Sequence, residues 1–281
     1  MDTKTHNLTY SNLDLEVDLL IQAIRVCYGI DFSHYKKASL YRRLKHSMEK
    51  NQLSCLSELI PKVIWDYKAF ESLLFDISIP VTEMFRDPEV YQMITQKILP
   101  YLKTFPQVRI WVAGCATGEE AYSLAILLKE AKCLTHVQII ATDFNKQALE
   151  QANQGIYSHD SIKQSELMYK KAGGNASLTH YFTHKNAQME IIPEIKQHIL
   201  FLEHDLTNDN IPVKAHLILC RNVFIYFDRE LQNATTELFY QSLHPGGFIC
   251  LGLKESLEFI ASGKLFETYA EKFRIYRKPY H

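Results

Sequence analysis

No apolar run in the chain approaches the ~20 residues that a membrane-crossing helix needs, so none of its 281 residues is expected to enter a bilayer. The opening residues, MDTKTHNLTYSN, lack the apolar core of a secretory signal. The six cysteines (Cys27, Cys55, Cys115, Cys133, Cys220 and Cys250) include no C-x-x-C pair or other metal-ligand spacing. The twelve histidines are scattered, with no pair at ligand spacing on a helix, so no metal is expected. A net charge of -1 lacks the broad basic face of a nucleic-acid enzyme. No G-x-G-x-x-G turn is present, which argues against a dinucleotide. No repeat or low-complexity tract stands out. What these absences leave is a cytoplasmic globular protein with reduced thiols, a monomer by default.

What is present falls into two textures. From Leu13 to about Ser78 apolar residues recur at helical spacing. Leu15, Leu19, Ile21, Ile24 and Val26 mark one helix, ended near Gly29. Leu40 and Leu44 mark a second, Leu56, Leu59 and Ile60 a third, and Trp65 to Ile77 a fourth. From Val108 onward strands alternate with helices. Strands are expected at 108–114, 137–143, 199–206, 216–221 and 247–253, with helices at 119–132, 146–153 and 229–243. The Pro245-Gly246-Gly247 turn is expected just ahead of the last of these strands. Such alternation predicts an α/β fold with a parallel sheet covered on both faces. The aromatic tail, Leu265 to Arg277, predicts an antiparallel pair at the sheet edge. Residues 155–198 are too long for a simple connection and predict a small inserted lobe.

The most informative segment is Gly114-Cys-Ala-Thr-Gly118-Glu119-Glu120, between the first strand and the first helix of the α/β part. Its small residues allow close backbone approach to a ligand, and a helix N-terminus follows. Glu119 and Glu120 suit the helix dipole but would repel a phosphate. They are compatible with a cationic ligand such as the ammonium of a sulfonium nucleoside. Asp143, closing the second strand, can accept hydrogen bonds from ribose hydroxyls, or can simply cap the helix after it.

Several segments together resemble the CheR family of protein-glutamate methyltransferases. They are Thr82-Glu-Met-Phe-Arg86, Ala113 to Ser123, Ala141-Thr-Asp143, Gly155-Ile-Tyr157, Asp205-Leu206, and above all Cys220-Arg-Asn-Val-Phe-Ile-Tyr-Phe-Asp228. The resemblance implies a Rossmann-like, class I S-adenosyl-L-methionine (SAM)-dependent methyltransferase domain with an N-terminal all-α domain and a small inserted antiparallel β-subdomain. On this basis residues 1–78 form the helical, receptor-docking domain and 79–90 a linker contributing to the cofactor site. Residues 91–281 form the methyltransferase domain, with the insert at about 172–200. It further implies that Thr82, Arg86, Gly114, Glu120, Asp143, Asp205, Leu206, Arg221 and Asn222 bind the cofactor or lie beside it. Arg86 and Tyr226 would sit close to the transferred methyl group. The product would be S-adenosyl-L-homocysteine, and the partner the cytoplasmic helical coiled coil of a chemoreceptor or related signalling protein.

A glutamate side chain has a reference pKa of ~4.3 and is ionised at neutral pH. Its attack on a sulfonium methyl therefore needs alignment more than a general base. The stretch Lys36, Lys37, Arg42, Arg43, Lys45, Lys50 sets six positive charges against Glu49 alone. Charge runs are commonly solvated helix faces. With the resemblance, docking of an acidic receptor helix through Arg42 and Arg43 is favoured. Three segments depart from the family pattern. Asp205 stands where Asn is common, Pro80 replaces a residue that is often polar, and Gly252-Leu-Lys254-Glu255 replaces Gly-x-Ser-Glu. The insert also lacks the glycine-rich hairpin tip of members that tether to a receptor's C-terminal peptide, so tethering is not expected. Two other readings stand beside this one: a SAM enzyme with a different acceptor, and a silent SAM-binding signalling module.

Overall fold

The computed structural model describes residues 12–78, 82–207 and 212–280, so the departure at Pro80 lies outside the described residues. The chain divides into two compact units, Met1–Ile79 and Pro80–His281.

The first unit is helical: α1 (Asn12–Tyr28), α2 (Lys37–Lys50), α3 (Leu59–Trp65) and α4 (Tyr67–Ser78). Helix α1 buries Val17, Leu20 and Ile24, one stripe at helical spacing. It stops at Gly29, whose φ of +73° costs a glycine little. The Tyr28 ring stacks on Phe70 at 3.6 Å, and its hydroxyl donates to the Val63 carbonyl at 2.6 Å, which joins α1 to α3 and α4. Helix α2 buries Leu40, Arg43, Leu44 and Ser47. Arg43 is therefore a correction to the docking face expected for it. It occupies an inward position of the α2 stripe, and its guanidinium donates to the carbonyl of Ile77 at the end of α4. Arg42, one residue earlier, is exposed.

The second unit begins with α5 (Pro88–Met93), a π-helical turn and α6 (Leu99–Leu102), followed by β1 (Val108–Ala113) and α7 (Glu119–Glu130). Then come β2 (Val137–Asp143), α8 (Lys146–Gln154), β3 (Ile156–Ser158), α9 (His159–Lys171), β4 (Phe182–Lys185), β5 (Gln188–Ile191) and α10 (Pro193–Lys196). The chain continues with β6 (Ile199–Glu203), β7 (Ala215–Cys220), α11 (Arg229–Ser242), β8 (Leu243–Leu251), β9 (Glu267–Ala270) and β10 (Ile275–Arg277). Seven strands form one sheet in the order β6-β2-β1-β7-β8-β10-β9. The first five run parallel, while β10 pairs antiparallel with both β8 and β9, as the aromatic tail predicted. Strands β1 and β2 are buried at every position but their second, as expected of a parallel sheet covered on both faces. From β1 the chain winds outward to β2 and β6, then returns to β7 on the other side. The crevice beyond the C-terminal ends of β1 and β7 is thus a topological switch point.

Two strand boundaries differ from expectation for local reasons. Strand β6 stops at Glu203 because Asp205 turns the chain, its Oδ1 accepting the Thr207 N–H at 2.9 Å. The Pro245-Gly246-Gly247 segment does not precede β8 but lies within it, as an irregularity in the pairing with β7. A side chain on Gly247 would meet the backbone carbonyls of His244 and His216 at 2.9 and 3.1 Å, so the bulge needs glycine there.

The inserted lobe is a three-stranded antiparallel sheet, β3-β5-β4, whose first strand starts at Ile156, earlier in the chain than 172. Glu130, at the end of α7, ties this lobe down. It accepts the hydroxyls of Tyr169 and Tyr181, and the backbone N–H groups of Asn175 and Ala176 also reach it.

Candidate active site

The β1–α7 turn is built around the end of β2. Gly114 and Cys115 donate their N–H groups to the Thr142 carbonyl at 2.8 and 2.9 Å. Ala116, at φ +47°, turns its N–H onto Asp143 Oδ2 at 2.8 Å. Asp143 Oδ1 accepts the Asn145 N–H at 3.0 Å. The acid after the second strand and the glycine turn after the first are therefore in direct contact. Asp143 is not the cap of α8, because Asn145 fills that role by accepting the Ala148 N–H at 3.0 Å. Gly114 also has a packing reason: at φ +74° a side chain there would lie 2.5 Å from the Val223 side chain.

The two glutamates that open α7 part company. The Glu120 carboxylate accepts Arg221 Nη1 at 2.7 Å and is spent on that buried ion pair. It does not stand open to a cationic ligand, as the sequence had led us to expect. Glu119 accepts the Thr117 hydroxyl, at 2.7 Å, and meets no cationic side chain among the described residues. Burial pushes its pKa up to about 7, against the pull of that bond. Burial also raises Asp143, opposed by the N–H groups of Asn145 and Ala116 and reinforced by the nearby Asp205.

The segment leading into α5 folds against this turn. Phe85 sits at φ +57° and Asp87 at φ +54°, a region that a bulky side chain seldom adopts. The Phe85 N–H donates to Ser123 Oγ at 2.9 Å, and Ser123 Oγ donates to the Glu119 carbonyl at 2.7 Å. Arg221, whose side chain is 2% exposed, reaches across from the end of β7. Its Nη2 donates to the Arg86 carbonyl at 2.9 Å and to Asp87 Oδ2 at 2.7 Å. The guanidinium also lies over the Tyr91 ring, 5.6 Å from its centroid. Burial works against its charge, but Glu120 together with Tyr91 and Cys250 outweighs it and holds the pKa above its ordinary value. Every Arg221 bond thus goes to protein. Among the described residues the Arg86 guanidinium, half-buried, has no hydrogen bond or ion pair. Thr82 is half-buried at the start of the same segment.

The loop after β7 carries the remaining candidates. Asn222 is at φ +63°, and its N–H donates to Glu255 Oε2 at 3.0 Å. The same carboxylate accepts Gly252 N–H at 2.6 Å and Ile225 N–H at 3.1 Å. Glu255 is the main residue that sequence reasoning passed over, along with Asp87. Its signal was a lone acid directly after the buried apolar run of β8. Tyr226, half-buried, sits in a short 3-10 turn braced by Gln232, whose side-chain amide donates to the carbonyls of Phe224 and Phe227 at 2.8 and 3.1 Å. Asp205 and Leu206 are half-buried just beyond β6. Arg42, Arg43 and the rest of α2 belong to the other unit.

This donor set suits a positively charged nucleoside. Neither Glu119 nor Asp143 meets a cationic side chain among the described residues, and burial raises the pKa of both. A pyrophosphate would worsen that imbalance, whereas a sulfonium or ammonium would relieve it. No group of three or more His, Cys, Asp or Glu among the described residues could hold a metal ion. No described helix is long and apolar enough to cross a membrane.

Comparison with known proteins agrees with this chemistry. Residues 80–272 match the family described as CheR methyltransferase, SAM binding domain. Residues 15–78 match CheR methyltransferase, all-alpha domain. The chain is 40% identical to Cher3 of Pseudomonas putida over 267 residues, 95% of this chain and 98% of that one. It is 28% identical to a chemotaxis protein methyltransferase of Listeria innocua over 248 residues, 87% of this chain and 92% of that one. A chemotaxis protein methyltransferase of Borreliella burgdorferi is also 28% identical, over 264 residues covering 88% and 90% of the two chains. With both of its units matched, and with its switch-point crevice chemically suited to a sulfonium nucleoside, the chain belongs to the CheR family of SAM-dependent methyltransferases.

Proposed function

We propose that this methyltransferase esterifies glutamate side chains on the cytoplasmic helical coiled coil of a chemoreceptor-type protein. The observation that carries the reading is Arg86, a half-buried residue whose carbonyl is bonded to Arg221 and whose guanidinium has no partner among the described residues. Arg221, the other cation named at this site, is already paired with Glu120 and Asp87, so Arg86 is the one left to attract a carboxylate acceptor. SAM, when bound, supplies a sulfonium methyl, and its transfer to a carboxylate oxygen leaves neutral S-adenosylhomocysteine with no proton to remove.

In this reading Asp143 holds the ribose hydroxyls, and Asp205 and Leu206 line the adenine side. Thr82, Gly114 and Asn222 close the crevice, with Glu120 and Arg221 as its frame. Arg86 steers the acceptor without gripping its attacking oxygens, since tight binding would lower their nucleophilicity. Tyr226 orients the acceptor at the methyl. Exposed Arg42 on α2 contributes docking charge, in a monomer acting in the cytoplasm.

The test is transfer of radiolabelled methyl from SAM to a receptor cytoplasmic fragment. Label released as methanol at alkaline pH, and lost when the target glutamates are changed to glutamine, supports the ester. Base-stable label would point to another acceptor atom, and absence of label to a silent cofactor-binding module. Within the same assay Arg86→Ala should lower turnover by about 100-fold, and Tyr226→Phe by less. Full turnover in both variants would remove these assignments.

A further inference from the structure

Arg86 is flanked on both sides by residues in the left-handed region, Phe85 at φ +57° and Asp87 at φ +54°. A backbone held this way relaxes unless its surroundings over-determine it. Phe85 is held by its bond to Ser123 and by full burial against Tyr91 and Tyr169. On the other side the restraint is the Arg221 guanidinium. One of its two terminal nitrogens donates both to the Arg86 carbonyl at 2.9 Å and to Asp87 Oδ2 at 2.7 Å, while the other terminal nitrogen is taken by Glu120 at 2.7 Å. Two carboxylates, one from α7 and one from the linker, thus set the plane of the fork that pins Arg86.

An aspartate just before a proline at a helix start ordinarily serves as the helix cap. Asp87 precedes Pro88 at the start of α5, yet its side chain makes no capping bond. Its carboxylate is turned instead onto Arg221. We propose that Asp87 is a positioning residue for methyl transfer, holding Arg221 so that the Arg86 carbonyl, and with it the Arg86 side chain, stays fixed at the site. This rests on the reading that Arg86 steers the acceptor carboxylate. Asp87 itself need not touch substrate; it acts through two arginines.

A double-mutant cycle on the full-length protein separates positioning from plain stability. Single-turnover methyl transfer from labelled SAM to a receptor fragment is measured for wild type, Asp87→Asn, Arg86→Ala and the double variant, with Asp87→Glu as the conservative control. The expected result is a loss of about 10- to 100-fold in rate for Asp87→Asn, with little change in KM for the fragment. Asp87→Glu recovers part of that rate, and Asp87→Asn adds no further loss in the Arg86→Ala background. Equal losses in both backgrounds mean a structural role and overturn this proposal alone. Wild-type rates for Asp87→Asn also overturn it. Full turnover by Arg86→Ala overturns the steering role of Arg86 together with this inference.

Discussion

Helix α2 of the first unit and the strand ends of the second both gather charge, and they use it in opposite ways. Along α2 the cations other than Arg43 lie at the surface, and two of the three lysine pairs are loose. Lys37 is 4.0 Å from Asp18, Lys45 is 4.0 Å from Glu49, and Lys50 is 2.8 Å from Asp76. The first two, exposed pairs, contribute about 0–1 kcal/mol and are screened by salt; in the third the Asp76 side chain is nearly buried. At the strand ends Arg221, Glu120 and Asp87 form a buried fork, and Glu255 gathers three backbone N–H groups. There the charges hold a shape, and removing one partner strands the others in a low-dielectric setting. Surface charge of this kind contributes little to the fold, whereas the Arg221 fork holds the loops of the site in place.

The contrast breaks most visibly at Arg221. Arg221→Met should cost about 3–5 kcal/mol, because Glu120 and Asp87 lose their common cation. Arg42→Met should stay within about 0.5 kcal/mol. Denaturant unfolding of both variants reads this directly, and comparable losses would erase the distinction. Glu119 sharpens it with pH. Its folded pKa, about 7, is raised above its ordinary 4.5. Its contribution to stability is thus fully present below pH 4.5 and is lost as pH rises through 7. Glu119→Gln should be close to neutral at pH 5 and should gain up to about 3 kcal/mol over wild type at pH 8. Thermal melts at the two pH values that show a constant difference would contradict the burial ascribed to this carboxylate. Glu255→Gln is the next smaller case. An amide cannot accept from both directions, so at least one of the Asn222, Gly252 and Ile225 N–H groups loses its acceptor. The cost should be about 2 kcal/mol. Calorimetric titration with S-adenosylhomocysteine should show weaker binding too, since the Asn222 loop loosens; unchanged affinity would place that loop away from the cofactor.

The sequence laid out the elements themselves plainly. Parallel strands such as Val108–Ala113 and Val137–Asp143 are continuous apolar runs followed by turn residues; α1 was legible as a helix but not in its buried face, since Leu15, Leu19 and Val26 are exposed and Val17, Leu20 and Ile24 are buried. The contact of Asp143 with the glycine turn was likewise foreseeable, because both sit at the same end of adjacent parallel strands. What could not be read was the direction in which a charged side chain points. Arg42 and Arg43 are neighbours in a basic run, yet about 100° of helical rotation puts one in water and one against Ile77. Glu119 and Glu120 differ for the same reason, one facing Thr117 and one facing Arg221. The Arg221 partners lie 101 and 134 positions away in the chain, and no local pattern encodes them. Glu255 lay in a segment that departs from the family pattern, which drew the eye to the missing residues instead of to the acid that remained.

The smallest effect tests α2 itself. Arg43→Ala removes a buried donor and leaves the Ile77 carbonyl short of a partner, so it should lower stability by about 1–2 kcal/mol whatever the salt. Arg42→Ala should leave stability alone and raise KM for a receptor fragment about two- to fivefold at low ionic strength. That rise should fade as salt shortens the Debye length to about 8 Å at 0.15 M. The two arginines then separate along two axes, one moving a melting curve and the other a salt-dependent KM. If Arg42→Ala left KM unchanged at 20 mM salt as well as at 200 mM, the charge on α2 would be a solvated face only, and the acceptor protein would have to be recognised by some other surface.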